Sequence, residues 1–362
     1  MNIFLTGATG FLGRYLLREL LARGHRVWAL FRDIQRRDRT VAFLYNHGLS
    51  RVLDTLQWIE GDILDIDRTW RQWEKENPGL KEVDQLLHSA ASLRFTANSA
   101  GEPQRSNVGG ARALSSLAAI RPLQVHLVST AYVCGLVTNG VVREVNHPRG
   151  NFVNIYEQSK WEAEQIWAGR ATILRPGVIV GEYSSGHASS FTGWYMIAKG
   201  GYLLDQFLKL NPALDRRRLN IQIPINPGAT LNLLPVDYVA AAMVSILENP
   251  INHNRIFHLT HANPPTHAFS HQVICRRFEL GGIEFIDPGI PLKEPDDPIR
   301  KMIWNQTRRM HAYFTNNPVF DREHTNRALP DMTIPPIDEA YINRLLDYAI
   351  SRDWSHDERG IP

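Results

Sequence analysis

Tyr156 and Lys160 stand four residues apart in Asn154-Ile155-Tyr156-Glu157-Gln158-Ser159-Lys160-Trp161-Glu162-Ala163-Glu164, a segment of good helix formers. On a helix that spacing puts both side chains on one face, one turn from each other. The pair has a chemical logic. A phenol titrates near pH ~10, so to exchange a proton near neutrality it needs a neighbouring cation, and Lys160 can supply that field. Upstream, the apolar run Leu123 to Val128 reads as a strand and delivers Ser129-Thr130-Ala131-Tyr132-Val133-Cys134-Gly135 at its end. Hydroxyl side chains at the carboxyl end of a strand sit where open α/β sheets do their ligand chemistry. A Tyr-x-x-x-Lys spacing alone is common by chance, so its meaning depends on what the rest of the chain places beside it.

The element that supplies that context lies at the start of the chain. Leu5-Thr6-Gly7-Ala8-Thr9-Gly10-Phe11-Leu12-Gly13 follows the short apolar run Ile3 to Leu5 and opens a segment in which Leu12, Leu16, Leu17, Leu20 and Leu21 recur at helical spacing. The order is strand, glycine turn, helix. Gly7 permits a tight exit from the strand, Gly10 leaves room for a pyrophosphate, and Gly13 lets the helix lie close against the sheet. Unpaired N–H groups at the helix start, with the positive end of the helix dipole behind them, complete a dinucleotide site; Thr9, Phe11 and Leu12 belong to the same turn. The competing reading is an ordinary Gly-rich turn. Gly24 closes the helix and Val27 to Phe31 forms the second strand. The residue ending that strand selects the cofactor. Arg32 offers a guanidinium fork to a 2′-phosphate and favours NADPH over NADH, whereas a register one residue later puts Asp33 there and gives the NAD-type reading. Arg36, Arg37 and Arg39 read as a solvated charged face.

The whole chain bounds these possibilities. Its 362 residues are 43% hydrophobic and 21% charged, ordinary for a globular chain with a substantial core. A net charge of +3 with a pI near 8.8 is too mild and too dispersed to imply nucleic acid. The two cysteines, Cys134 and Cys275, give no disulfide framework and suit a reducing compartment. The residues after Met1 lack the basic leader of a signal peptide, and no apolar run approaches membrane-spanning length, so a cytoplasmic location is expected. The 14 histidines show no metal-ligand spacing, and no metal is expected.

In chain order, Val41 to Leu53 reads as a helix and Leu56 to Glu60 as a third strand leading into Gly61-Asp62-Ile63-Leu64-Asp65. Asp62 can accept from an adenine amino group with Ile63 packed on the ring, or it can cap the helix that follows, as can Asp65 or Asp67. Val83 to His88 is a fourth strand ending in Ser89-Ala90-Ala91-Ser92, small residues that let a ribose pass close to the backbone. Asn107 either caps the helix running to Ala119 or positions the active site. Beyond Gly181 a polar loop leads into the apolar stretch Trp194 to Leu210; Phe191, Trp194, Tyr195 and Tyr202 could line a substrate pocket or pack the lobe. Arg216-Arg217-Arg218 reads as a solvated loop in preference to a phosphate contact. Asn254 to Leu259 is a returning strand, and helical stretches near Met302 to Tyr313 and Ile337 to Ile350 have no assigned place.

The chain resembles an extended short-chain dehydrogenase/reductase. Thr6 to Gly13 match that family's TGxxGxxG, Tyr156 to Lys160 its YxxxK, and Leu174-Arg175-Pro176-Gly177-Val178 its RPxxV stretch. The resemblance implies a Rossmann-type, doubly wound parallel sheet over residues 1–180, with returning segments about 230–260, and a substrate lobe from 181–229 and 261–362. It implies Tyr156 as proton donor, Lys160 as the group that lowers the phenol's pKa and holds the nicotinamide ribose, and Thr130, five positions before Gly135, as donor to the substrate carbonyl. Gly7, Thr9, Gly10, Phe11, Leu12, Gly13, Arg32, Asp62, Ile63, Ala90, Ala91, Asn107, Tyr156, Lys160, Pro176, Gly177 and Val178 are the implied cofactor contacts. Within the family, Val128-Ser129-Thr130-Ala131-Tyr132-Val133 and Leu233-Leu234-Pro235-Val236-Asp237-Tyr238-Val239 are similar to thioester reductase and fatty acyl reductase domains. These imply NADPH-dependent reduction of a carrier- or CoA-bound acyl thioester, or of an aldehyde. A sugar-nucleotide or steroid-type epimerase, dehydratase or dehydrogenase is the alternative, and a non-catalytic dinucleotide sensor a third.

Overall fold

The computed structural model describes residues 1–286, 297–314 and 316–355. Its centre is a parallel sheet fed by alternating strands and helices: β1 (Asn2–Thr6), α1 (Phe11–Ala22), β2 (Arg26–Phe31), α2 (Ile34–Asn46), β3 (Leu56–Glu60), α3 (Ile66–Glu76) and β4 (Gln85–His88). The chain continues through α4 (Gly110–Ile120), β5 (Gln124–Val128), the two-residue β6 (Val141–Val142), α5 (Ile155–Trp167), β7 (Ala171–Pro176) and β8 (Val178–Val180). Next come α6 (Trp194–Leu210), β9 (Ile221–Pro224), β10 (Leu233–Pro235), α7 (Val236–Glu248), β11 (Ile256–Leu259), α8 (His267–Arg277) and β12 (Ile283–Ile286). The last elements are α9 (Pro298–Thr307), β13 (Val319–Phe320), α10 (Glu323–Ala328) and α11 (Glu339–Ser351).

Seven strands form one sheet in the order β11-β7-β5-β4-β1-β2-β3, and every pair in it is parallel. The order reverses between β1 and β4, and ligands of such sheets bind in the crevice at the carboxyl ends of the strands there. A parallel strand is buried on both faces, which explains why these strands read as continuous apolar runs. On β1, Ile3 and Leu5 face one layer with α1 and α7, while Phe4 faces the opposite layer with Trp70, Trp73, Leu114 and Leu117 of α3 and α4.

A second core belongs to the lobe. Trp194, Tyr195 and Leu204 of α6 pack with Val273, Ile274, Tyr341 and Leu345 from α8 and α11. The Tyr341 hydroxyl donates to the Gly181 carbonyl at 2.6 Å and the Tyr195 hydroxyl accepts from the Gly181 amide at 3.0 Å, pinning the point where the chain leaves the sheet. An Arg18–Glu182 ion pair at 2.9 Å ties α1 to the same loop. Among the described residues no helix is long and apolar enough to cross a membrane.

One helix differs from expectation. Val41 to Leu53 does not form a single helix: α2 starts seven residues earlier, at Ile34, and Ser50–Thr55 is a separate short turn. The polar run Gln35 to Arg39 hides the helical period. The signal for the true start is Asp33, whose carboxylate accepts from the Gln35 amide at 2.9 Å and the Arg36 amide at 3.1 Å.

Candidate active site

The glycine turn is compact because its backbone closes on itself and on β4. Gly7 has φ of +76°, and a Cβ there would stand 2.5 Å from the Ala90 nitrogen. At Gly13 a Cβ would lie 1.9 Å from the Gly7 carbonyl oxygen, so the third glycine fits the helix to the turn's own backbone rather than to the sheet. A groove of about 720 Å³ runs from this turn: Gly7, Thr9, Gly10 and Phe11 line one side, Ile63, Ala90 and Ala91 the other. Leu12 and Gly13 shape the turn without lining the groove, and Asp62 also stands back from it. The Asp62 carboxylate accepts from the Leu64 amide at 3.0 Å and from Arg32 at 3.2 Å. Burial alone would raise its pKa, but these two donors hold it below the usual carboxylate range.

Arginines dominate the far end of the groove. Arg14, Arg32, Arg36 and Arg39 all line it. Arg36 lines the groove yet is exposed, in keeping with the solvated-face reading, which Arg37 also fits, pairing with Asp38 at 2.7 Å and lying over the Phe31 ring; Arg39 is half-buried in the groove wall. The Arg39 Nε is buried and has no hydrogen-bond partner among the described residues. Asp33 shares the groove wall, yet its carboxylate is engaged by the start of α2 and its pKa is lowered by the Arg36 N–H. Thus the Asp33 carboxylate is taken up by helix capping, and the wall around it is lined by guanidinium groups.

Thr130, Tyr156 and Lys160 converge at the carboxyl end of β5. Thr130 and Tyr156 line a second cavity, of about 410 Å³, while Ser129 does not reach it. The Thr130 hydroxyl accepts from the Tyr132 amide at 3.3 Å. Lys160 is 2% exposed, and its ammonium donates to the Val128 carbonyl at 2.6 Å. Burial pushes its pKa down to about 8, against the pull of Glu164. The Tyr156 phenol is shifted upward, first by burial and then by the Glu157 charge. Here the expectation that Lys160 lowers the phenol is not met: the ammonium points into the sheet at a strand-end carbonyl, and burial controls the phenol.

Helix α5 is held rigidly. Asn154 caps it, accepting from the Glu157 amide at 3.0 Å. Arg175, on β7, forms a two-pronged pair with Glu164 at 3.0 and 2.6 Å, both side chains fully buried. Asn107 is neither a helix cap nor part of the groove wall. It sits inside the wide helical turn Arg105–Gly109 before α4, and its amide accepts from the Ser92 N–H at 2.8 Å and donates to the Ser92 carbonyl and to Ser159 on α5 at 2.8 Å. It clamps the β4 loop to the Tyr-Lys helix. Glu157, beside Tyr156, is buried and raised to about 7 by desolvation; Tyr313, from the far end of the chain, donates its hydroxyl to it.

The cavity and the groove meet at Leu93 and Arg94, which line both. Gly177 and Val178 form part of the cavity wall, whereas Pro176 ends β7 behind it. Of the aromatic residues expected to form that wall, only Trp194 does so; Phe191, Tyr195 and Tyr202 pack the lobe core instead. The missing wall comes from Phe95, Tyr132, Met310, Tyr313 and Phe314. Tyr132 follows Thr130 by two residues and could have been found that way; Phe95 and Tyr313 carry no local signal. Arg216 pairs with Asp205 at 2.7 Å on the lobe surface.

Similarity to known proteins agrees with this geometry. The chain is 28% identical over 73% of its length to the nonribosomal peptide synthetase asaC of Aspergillus flavus, and 27% identical over 71% to L-2-aminoadipate reductase of Saccharomyces cerevisiae. It spans only 26% and 19% of those proteins. Among solved structures, the terminal R domain of the myxalamid PKS-NRPS biosynthetic pathway superposes with a TM-score of 0.76 at 24% identity, covering 98% of this chain and 91% of that one. UDP-glucose 4-epimerase of Bifidobacterium longum shares the fold at a TM-score of 0.66 and 15% identity, covering 98% and 99%. The family described as Male sterility protein, an NAD-binding family, matches residues 5–243, and the chain belongs to it, within the extended short-chain dehydrogenase/reductases.

Proposed function

We propose that the chain is an NADPH-dependent reductase that reduces the carbonyl carbon of a carrier- or CoA-bound acyl thioester to the aldehyde. The observation that carries this reading is the junction at Leu93 and Arg94, where an arginine-lined nucleotide groove opens beside Thr130 and Tyr156. Bound in the groove by the Gly7–Phe11 turn and by Arg32, Arg36 and Arg39, NADPH would supply the hydride. Thr130 and Tyr156 donate to the substrate oxygen as it gains negative charge, and the upward shift of the phenol keeps Tyr156 in the protonated form that a donor needs. As the new C–H bond forms, the C–S bond breaks, and the departing thiolate takes a proton to leave as thiol. Lys160, with its pKa near 8, is mostly charged at pH 7, and its ammonium is held on the Val128 carbonyl at the end of β5.

No cysteine nucleophile is needed. Burial raises Cys134 to about 12 and Cys275 to about 11, so neither offers a thiolate near neutrality. Relatives named as reductase and peptide synthetase support the thioester reading. The epimerase reading asks for cations to hold a sugar-nucleotide diphosphate. Among the described residues the cavity offers only Arg94, at the nucleotide side. A dinucleotide sensor would have no use for the aligned Thr130, Tyr156 and buried Lys160.

NADPH oxidation with acyl-CoA thioesters tests the proposal. Tyr156→Phe should lower kcat about 10²–10⁴-fold while NADPH binding, followed by fluorescence, stays unchanged. Unchanged turnover in that variant would remove Tyr156 from the chemistry.

A further inference from the structure

A third cavity, of about 250 Å³, adjoins the one that holds Tyr156 and Thr130. The two share a wall made of Trp194, Ile197, Leu231, His267 and Phe314. From there the third cavity extends along the paired strands β9 and β12, where Ile221, Ile223 and Phe285 line it, and Ile303 and Trp304 of α9 also line it. Native cores are packed without voids of this size, and apolar recesses beside a reaction site are commonly ligand pockets.

The chemistry of its lining selects the occupant. The three imidazoles that face it, His267, His271 and His311, are each pushed down to about 4 by burial and are therefore neutral at pH 7. The Ser270 hydroxyl is already engaged, accepting from the Trp194 indole at 2.8 Å. Among the described residues Arg300 is the guanidinium that lines it, and it donates to the Asn220 carbonyl at 2.7 Å on an exposed edge. Among the described residues Gln222, Ser270, Arg300 and the three imidazoles are its polar points, whereas Ile221, Ile223, Phe285 and Ile303 match methylene groups.

Resting on the reductase reading above, we infer that this recess is an acyl-tail pocket: the thioester carbonyl lies at Thr130 and Tyr156, and a linear, uncharged hydrocarbon chain passes the Trp194–Leu231 wall into it. The enzyme would thus select medium-chain aliphatic acyl groups over acetyl or amino-acyl groups. Ile223→Trp fills the recess, and Phe285→Ala enlarges it.

Two measurements test this. In the first, kcat/KM is followed along acyl-CoA substrates from acetyl to dodecanoyl. It should rise about fourfold per methylene in the wild type until the recess is filled. Ile223→Trp should abolish that rise and leave acetyl-CoA within twofold, and Phe285→Ala should move the optimum to longer chains. The same chain-length profile in all three proteins would overturn the proposal. In the second, calorimetry without NADPH measures binding of the decanoyl thioester of N-acetylcysteamine. Tight binding that Ile223→Trp weakens at least tenfold supports the pocket even if no thioester is reduced, in which case it is the reaction that fails. Equal binding by wild type and both variants would overturn the pocket whatever the reaction proves to be.

Discussion

In the nucleotide groove every wall residue up to Leu93 comes from a strand end or the first turns after it: Gly7 to Phe11 after β1, Arg32 to Arg39 after β2, Gly61 and Ile63 after β3, Ala90 and Ala91 after β4. The substrate cavity is assembled otherwise. Its walls join Phe95, Tyr132, Val178, Trp194, Leu231 and Phe314, residues from six separate stretches of the chain. The first site is written by local rules, because a parallel sheet brings all its strand ends to one edge. The second depends on how a lobe docks, and the contacts that fix it, such as Tyr313 to Glu157 and Tyr341 to Gly181, span more than 150 residues.

The sharpest way to break this contrast is to loosen the catalytic helix from the sheet side. Arg175 and Glu164 form a fully buried ion pair, and removing one partner leaves a buried charge. Arg175→Met should destabilise the protein by about 3–5 kcal/mol in denaturant unfolding, and the double variant Glu164→Leu, Arg175→Met should recover most of that loss. A double variant as unstable as the single one would show that the pair serves packing rather than charge balance.

A middle-sized effect tests the nucleotide side. Replacing Arg32 and Arg39 together by Ala should raise KM for NADPH about 10–100-fold and leave KM for NADH within about twofold, since two charge-assisted hydrogen bonds to a phosphate are lost. Equal changes for both cofactors would undo the preference.

The smallest effect lies at the seam between the two regions. Glu157 has its folded pKa raised from 4.5 to about 7, so in the folded state it binds a proton more readily than in the unfolded chain. Its contribution to stability is full below about pH 4.5 and is lost as pH rises through about 7. Glu157→Gln should flatten that part of the stability-against-pH curve; an unchanged slope would place the titrating group elsewhere.

The same contrast explains what could be read from the chain alone. The sheet, the glycine turn and the placing of Thr130 and Tyr156 on one cavity follow from apolar runs, glycine spacing and strand ends, all short-range signals. Arg39 was missed as a groove residue because the α2 start at Asp33 is marked by a cap and not by apolar period. Asn107 gave a polar residue near a helix start but not its partners, Ser92 and Ser159, 15 and 52 residues away. The direction of the Tyr156 shift also escaped, since spacing reveals that Lys160 is near but not that its ammonium turns to the Val128 carbonyl. Phe95 and Tyr313 reach the cavity only through tertiary packing, for which a single chain carries no periodicity.

The central claim is that hydride passes from a nicotinamide in the groove to a carbonyl carbon held at Thr130 and Tyr156. Mass spectrometry of the aldehyde formed from a medium-chain acyl-CoA and NADPH deuterated at nicotinamide C4 tests it most directly. One deuterium on the aldehyde carbon is the expected result. An unlabelled aldehyde, or no aldehyde while the protein binds NADPH and thioester together, would contradict it.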